Sequence, residues 1–458
     1  MNIFNRIMNK AYGFEDAFGA ADCTSSEMKL AISEWFDLFY RTAPIDGEDP
    51  CQRIPYTVVN KITKTAFGEY KAISDDDFAN SILDGMAKVR KRAMHSALVG
   101  GMAYIKPFPV GRDRFTFTVV SRSNLLIFGK DVEGSPTDIG TAERTISGKS
   151  YYTLLERRTI GPDGLLLIRN KLYQSESGDT LGRQVPLSSI PRYEALPMEY
   201  TYPEPVGIGM APLVCPVPNC VDGGVDPVSV YAAAVGLIRN INRNEYELSG
   251  EFERGKSRLI VSADMLRASP DGKRKALRDD VFTGFDDSPE DVGITIFSPT
   301  LRESSFLARK AEYLRNVESI IGLKRGLLSE VEAMDKTATE VTSSAGDYNL
   351  TIIDFQQMWE TTVRELLVLC GKLGRMYQVT GAHDLTEDVV SIDWGNGVLY
   401  DEDKKWTDYK AMVAAGLLKP EIAVGWYFGM PIETPEDLEA VRARYMPAID
   451  ALAGGGVF

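Results

Sequence analysis

Histidine is nearly absent from this chain: His95 and His383 are its two imidazoles in 458 residues. Each stands apart from any nucleophile, acid or second ligand at a recognisable spacing, which argues against histidine-based catalysis or a histidine metal centre. No GxSxG, HExxH or strand-linked GxGxxG motif occurs. Cysteine is scarce as well. Cys23, Cys51, Cys215, Cys220 and Cys370 are odd in number and without framework spacing, the pattern of reduced thiols in a cytosolic setting. Cys215 and Cys220 have no second pair or histidine cluster beside them, so a zinc site is not expected. No run approaches the roughly eighteen apolar residues that cross a bilayer. Residues 1–14 hold Arg6 and Lys10 but no apolar core of signal-peptide length. The expectation is a protein made and folded in a cytoplasm, away from membranes.

An excess of positive charge is missing too. The formal net charge is -14 and the isoelectric point about 4.9. Such a chain is a poor generic binder of nucleic acid by phosphate neutralisation. It fits a soluble acidic protein, or a wall that encloses DNA and repels it. With 44% hydrophobic and 25% charged residues the chain folds, and its length allows about two to four domain-sized units.

The strongest positive signal is residues 327–376. A loop, Leu328-Ser329-Glu330-Val331-Glu332-Ala333-Met334-Asp335-Lys336, leads into Thr337 and Glu340, spaced as a capping box. An apolar stripe then runs through Val341, Tyr348, Ile352, Phe355, Trp359, Val363, Leu366, Leu369, Leu373 and Met376. A helix of about forty residues spans roughly 60 Å, a strut suited to a large assembly more than to a self-contained enzyme.

Elsewhere the pattern is mixed. Thr24 with Glu27 predicts a helix start before Met28, Ile32, Trp35, Phe36 and Phe39, a second helix is expected over 54–70, and Ser74 with Asp77 predicts a third running through Leu98. Residues 102–183 alternate in short strand-like runs, giving a β-rich module of five or more strands. Residues 191–226 read as an extended Pro- and Gly-rich connector, and Asp226-Pro227 as a helix start carrying on to about Glu253. Two strand-like runs, Leu259-Ile260-Val261 and Ile294-Thr295-Ile296-Phe297, flank a polar segment. A helix then restarts at Thr300 with Glu303 and stops at Gly322. Beyond the long helix come a strand over 389–392 and three short helices, stopping at Gly416, stopping at Gly429, and starting at Thr434-Pro435.

Two charged features allow alternatives. Acidic runs at Asp75-Asp76-Asp77, Asp279-Asp280, Asp286-Asp287, Glu290-Asp291 and Asp401-Glu402-Asp403 could hold Mg²⁺ for nuclease chemistry; the first and last also sit where helices begin, where capping and dipole complementation suffice. In the polar segment, Arg267, Lys273, Arg274, Lys275 and Arg278 precede the acidic pairs at Asp279, Asp280, Asp286 and Asp287. Opposite blocks suit a contact between ring neighbours or with a docking partner; a solvated loop has the same pattern.

Several stretches, in order, resemble the portal proteins of long-tailed bacteriophages, the head-to-tail connectors. They are Arg53-Ile54-Pro55-Tyr56, Asn60-Lys61-Ile62, Gly100-Gly101-Met102-Ala103-Tyr104-Ile105-Lys106-Pro107, Tyr152-Thr153-Leu154-Leu155-Glu156-Arg157, Glu251-Phe252-Glu253-Arg254-Gly255-Lys256-Ser257-Arg258, Lys336-Thr337-Ala338-Thr339-Glu340-Val341 and Ala415-Gly416-Leu417. The resemblance implies an α+β portal fold: a β-rich wing (1–225), stem helices at 226–254 and 300–322 around a small α/β clip (255–299), a tunnel loop (323–336), a long wing helix, kinked or straight (337–380), and a short helical crown (381–458). It implies a non-enzymatic, dodecameric ring at one capsid vertex of the virion, assembled in the host cytoplasm and needing no cofactor. Such a ring passes double-stranded DNA during packaging and ejection and meets the terminase large subunit, a head-completion adaptor, and capsid and scaffolding proteins. Within that frame Lys324, Arg325 and Lys336 are the candidate DNA contacts. Ser329, Glu330, Glu332, Met334 and Asp335 belong to the tunnel loop, with 329–336 its free part. The charged clip residues, from Arg267 to Asp287, become inter-subunit or terminase contacts. A metal-dependent nuclease using the acidic clusters, or another cytosolic virion scaffold, is the alternative. For Lys324 and Arg325, complementation of a helix C-terminus remains equally open.

Overall fold

The computed structural model describes residues 13–40, 50–178, 180–255, 258–261, 294–297, 300–329, 338–395, 402–432 and 434–446. The chain is mixed α and β, as expected. Its N-terminal helices are α1 (Ser26–Tyr40) and α2 (Ile54–Ala66), followed by a short strand β1 (Lys71–Ile73) and by α3 (Asp77–Ala87) and α4 (Arg90–Gly100). The stripe of α1 is buried as its spacing predicts. Its cap differs by one residue. Ser25 Oγ accepts from the Met28 amide at 3.2 Å, because the Thr24 hydroxyl is taken by the buried guanidinium of Arg122 at 2.9 Å.

The single helix expected from Ser74 through Leu98 is two. Asp76, not Ser74, caps α3 through the Ala79 amide at 2.8 Å. The chain turns at Lys88 and Val89 so that the Arg90 guanidinium lies over Phe67 and Tyr70, 4.8 and 4.7 Å from their ring centres, while Ala93, Met94, Ala97 and Leu98 enter the core.

The β-rich module forms two antiparallel sheets. Strands β2 (Met102–Val110) and β3 (Arg114–Ser121) belong to one; β4 (Leu125–Lys130), β5 (Pro136–Ser147), β6 (Ser150–Ile160), β7 (Leu166–Ser175), β8 (Arg183–Val185) and β9 (Glu199–Thr201) make the other. β8 and β9 share the far edge of β7. The expected connector at 191–226 is therefore not all extended coil: it supplies β9 and also β10 (Ala211–Val214), which completes the first sheet beside β2. Two-residue turns such as Gly148-Lys149, closed by Ser147 opposite Ser150, keep these hairpins tight.

An ion triad ties the two sheets together. Lys106 of β2 donates to both oxygens of Glu156 of β6 at 2.7 Å. Arg158 Nε donates to Glu156 at 2.7 Å and its Nη1 to the Ile208 carbonyl at 2.8 Å.

The helix expected at Asp226 begins later. Residues 226–231 run against α4, where the Val230 amide and the Ser229 hydroxyl both donate to the Leu98 carbonyl at 3.0 Å. Helix α5 is Val235–Arg254. The cause is Gly101, whose φ of 81° lets the chain pass so closely that an added Cβ would lie 2.3 Å from the Pro227 oxygen. Gly101→Ala is expected to cost about 2–5 kcal/mol, a left-handed penalty plus displacement of packed backbone, read as a lower urea midpoint at unchanged m.

The remaining elements are β11 (Arg258–Val261), β12 (Ile294–Phe297), α6 (Glu303–Ile321), α7 (Ala338–Met376), β13 (Ser391–Asp393), α8 (Glu402–Ala414), α9 (Pro420–Tyr427) and α10 (Pro435–Tyr445). β11 and β12 pair antiparallel. α5 and α6 also lie antiparallel, joined by Lys310–Glu245 at 2.8 Å, Arg302–Glu251 at 2.9 Å and Asn244 Nδ2 donating to the Phe306 carbonyl at 3.0 Å. No side chain caps α6 at Arg302, so the expected start at Thr300 is displaced. α7 is 39 residues long. It buries Ile352, Phe355, Trp359, Val363, Leu366 and Leu373 in the main core; Thr362 Oγ1 reaches the Pro212 carbonyl at 2.7 Å. Thr337 of the expected capping box lies outside the described residues, and Glu340 falls in the first turn of α7. The three C-terminal helices fall where the sequence placed them, with Gly416 and Gly429 in the left-handed region and a full capping box at Thr434 and Asp437.

Candidate functional site: a clamped cationic turn

The junction between α6 and α7 is built from the α6 C-terminus. Gly322, at φ 77°, lets the chain leave the helix. The Leu323 amide returns to the Glu318 carbonyl at 2.8 Å and the Gly322 amide to Ser319 at 3.4 Å, a Schellman motif. Next comes a β-turn: the Leu327 amide donates to the Lys324 carbonyl at 3.2 Å, and Gly326 in its third position has φ 91°, as a type II turn requires. Lys324 and Arg325 are its first two corners, and both are exposed.

Under the turn lies a fully buried carboxylate, Glu318. One oxygen accepts from the Leu328 and Ser329 amides at 2.5 and 2.9 Å. The other accepts from the Ser329 hydroxyl at 2.8 Å and the Gly326 amide at 3.3 Å. An acid buried this deeply is tolerable because the backbone presents its donors to it. Leu323 is buried beside it, with Leu327 and Leu328 packed against the main core. The result is a rigid turn that holds two cations outward over a buried anion, at the negative end of a helix.

Of the candidate residues, Lys324 and Arg325 are adjacent and exposed at this turn. Ser329 is only 8% exposed and held by Glu318, so the free part of the loop does not begin there. Glu330, Glu332, Met334, Asp335 and Lys336 lie outside the described residues, as do Arg267, Lys273, Arg274, Lys275, Asp279, Asp280, Asp286 and Asp287. Sequence reading missed Glu318. The signal was available: it sits on the α6 stripe, four residues after Leu314 and three before Ile321.

His383 does have a partner. Its Nε2 lies 2.8 Å from Asp76 Oδ2 and its Nδ1 3.0 Å from the Gly381 carbonyl. The Gly381 carbonyl, then Asp76, raise its pKa at an exposed site. His95, on α4, is shifted the other way by burial and by Lys91. Asp76 thus serves as a helix cap and a histidine partner. Among the described residues no group of three or more His, Cys, Asp or Glu is placed to hold a metal ion, and no helix is long and apolar enough to cross a membrane.

No protein-family model matches the chain, and no curated protein does. Among solved structures it is similar to a chain from the neck of a native GTA particle computed with C12 symmetry. Their identity is 10% and the TM-score 0.47, over 93% of this chain and 99% of the other.

Proposed function

We propose that this chain is the subunit of a portal-type ring that conducts double-stranded DNA at a capsid vertex and docks the packaging motor and head-completion proteins. The observation that carries the proposal is the turn at Lys324 and Arg325, clamped by Glu318 between an antiparallel helix pair and a 39-residue helix. In this reading α5 and α6 are the stem, β11, β12 and the charged segment between them the clip, residues 323–336 the tunnel loop, and α8 to α10 the crown. The wing comprises the two sheets, the N-terminal helices and α7.

The charge pattern supports the reading. At -14 per chain, a ring wall is repulsive and lets the duplex slide, whereas a cationic wall would hold phosphates. Two exposed cations on a stiff turn then make the few phosphate contacts that grip the duplex without arresting it. In this frame the junction serves transport and is no active site.

The test has two parts. Native mass and negative-stain images should show rings; compact monomers under every salt condition would sink the proposal. Lys324→Glu with Arg325→Glu should leave ring mass unchanged and lower DNA packaging at least tenfold. Undiminished packaging would remove this turn as a DNA contact. Mg²⁺-dependent nuclease turnover lost in Asp279→Ala with Asp286→Ala would establish the enzymatic alternative instead.

A further inference from the structure

The three C-terminal helices cover little of their own apolar surface. α8 packs on α9 and α9 on α10. Yet among the described residues of 406–446 only Glu421, Ala423, Gly425 and Val441 are buried. Residues 402–446 contain no cysteine, and units this small seldom stand without a staple or an oligomeric neighbour.

What they expose is organised. Trp406 of α8 meets Tyr427 at 4.6 Å between ring centres, Tyr427 meets Phe428 at 5.1 Å, and Phe428 stacks on Tyr445 of α10 at 4.2 Å with planes 5° apart. Tyr427 and Phe428 are more than half exposed, at 56% and 51%. All three helices therefore contribute to one aromatic ladder, in which Tyr427 and Phe428 face solvent and Trp406 and Tyr445 are half-buried. An aromatic side chain buries about 150–250 Å² in all when fully covered; with Tyr427 and Phe428 about half exposed and Trp406 and Tyr445 less so, the ladder supplies part of the roughly 800 Å² that one partner brings to a stable interface.

The charges around it select the occupant. The ladder's rim is basic: Lys410 sits 5.7 Å from the Trp406 ring centre and Arg444 5.4 Å from that of Tyr445. The other end of α10 is acidic: Glu436 is exposed about 12 Å along the helix from Arg444, and Glu439 is exposed about 8 Å from it. One chain thus carries a basic, aromatic patch and, displaced from it, an acidic one. Complementary patches on one chain let one copy dock on another, and in the proposed ring each chain's basic patch meets the next chain's acidic one.

The geometry points to a second copy of this chain as the occupant: its acidic α10 start covers the Trp406–Tyr427–Phe428–Tyr445 ladder, and the C-terminal helical unit reaches full stability only in the assembly. This inference rests on the ring reading and adds the contact that completes the unit.

The test uses the full chain. Phe428 is already exposed, so Phe428→Asp should leave the separate subunit folded, as circular dichroism would show. Native mass and hydrogen exchange then read the contact. In wild-type assemblies, amides of 406–446 should exchange at least tenfold more slowly than in the monomer. Phe428→Asp should weaken assembly at least tenfold and return exchange in 406–446 to the monomer rate. Should that variant misfold, Arg444→Glu provides the same loss from an exposed rim position, and adding Glu436→Arg in the same chain should restore assembly. Unchanged assembly and protection in both variants would overturn the proposal and leave the ring reading intact. A wild-type chain that never leaves the monomer would sink the ring reading and this contact with it. Fluorescein-labelled oligo-dT bound by wild type and lost in Phe428→Asp, with assembly unaffected, would assign the ladder to nucleic acid and overturn the proposal as well.

Discussion

Glu156→Ala should destabilise the fold by about 3–5 kcal/mol, the range seen when one member of a buried ion pair is removed. The loss comes from what it strands. Lys106 and Arg158 are 11% and 4% exposed at their side chains, so without the carboxylate each keeps a buried charge lacking its partner. The effect is large because the triad bridges β2 of the smaller sheet to β6 of the larger one, and Arg158 adds the Ile208 carbonyl of the segment leading to β10. Glu156→Gln should behave similarly, because the amide keeps the shape and loses the charge. Lys106→Met should cost less in a Glu156→Ala background than alone, since the two share one interaction. Urea unfolding at constant m provides the measurement; a midpoint unmoved in Glu156→Ala would show that water replaces the carboxylate at no cost.

The same carboxylate sets a pH dependence. Burial alone would push it up, but Arg158 and then Lys106 hold it down to about 2, against an ordinary value of 4.5. Its folded value is below its unfolded one, so its contribution is fully present above about pH 4.5 and is lost as pH falls towards 2. Wild type should lose stability across that window more steeply than Glu156→Gln does.

Periodicity carried most of the fold and almost none of the site. The stripes of α1 and α7, the alternation across β5 to β7, and the stops at Gly322, Gly416 and Gly429 are local, and each could be read from a few neighbouring residues. Two of the misplaced helix starts are places where a distant group competes for the local signal. Thr24 is an N-cap type of residue, but its hydroxyl serves Arg122, 98 positions away. Asp226-Pro227 reads as a cap followed by proline, but Gly101 draws that chain against α4. The Lys106–Glu156–Arg158 triad joins residues 50 apart, and a charged residue inside a strand pattern gives no hint of which strand it faces. Glu318 lies between these extremes. An acid on the apolar stripe of α6 signals something for it to accept, but three of its four donors are backbone amides, which the residue types at 326, 328 and 329 do not announce.

Glu318→Gln should release the turn without unfolding the protein. The carboxylate takes four donors on two oxygens. Glutamine offers one oxygen, and its amide nitrogen would face two donors it cannot accept from. Each stranded donor costs about 1–3 kcal/mol if it stays buried. The turn is on the surface and can open to water, so the cost should appear as local opening, with global stability little changed. Opening that becomes easier by about 1.4 kcal/mol raises its population tenfold. The Leu328 and Ser329 amides should therefore exchange at least tenfold faster, and trypsin should cut at Lys324 and Arg325 at a correspondingly higher rate. Ser329→Ala, which removes one donor and leaves the acid satisfied by three, should lie between wild type and Glu318→Gln. If both variants exchange like wild type, the clamp is not what holds the turn. If exchange rises while DNA packaging stays normal, the cations do not need a rigid mount. If both change together, the buried acid of α6 is what holds Lys324 and Arg325 stiff enough to meet a moving phosphate backbone.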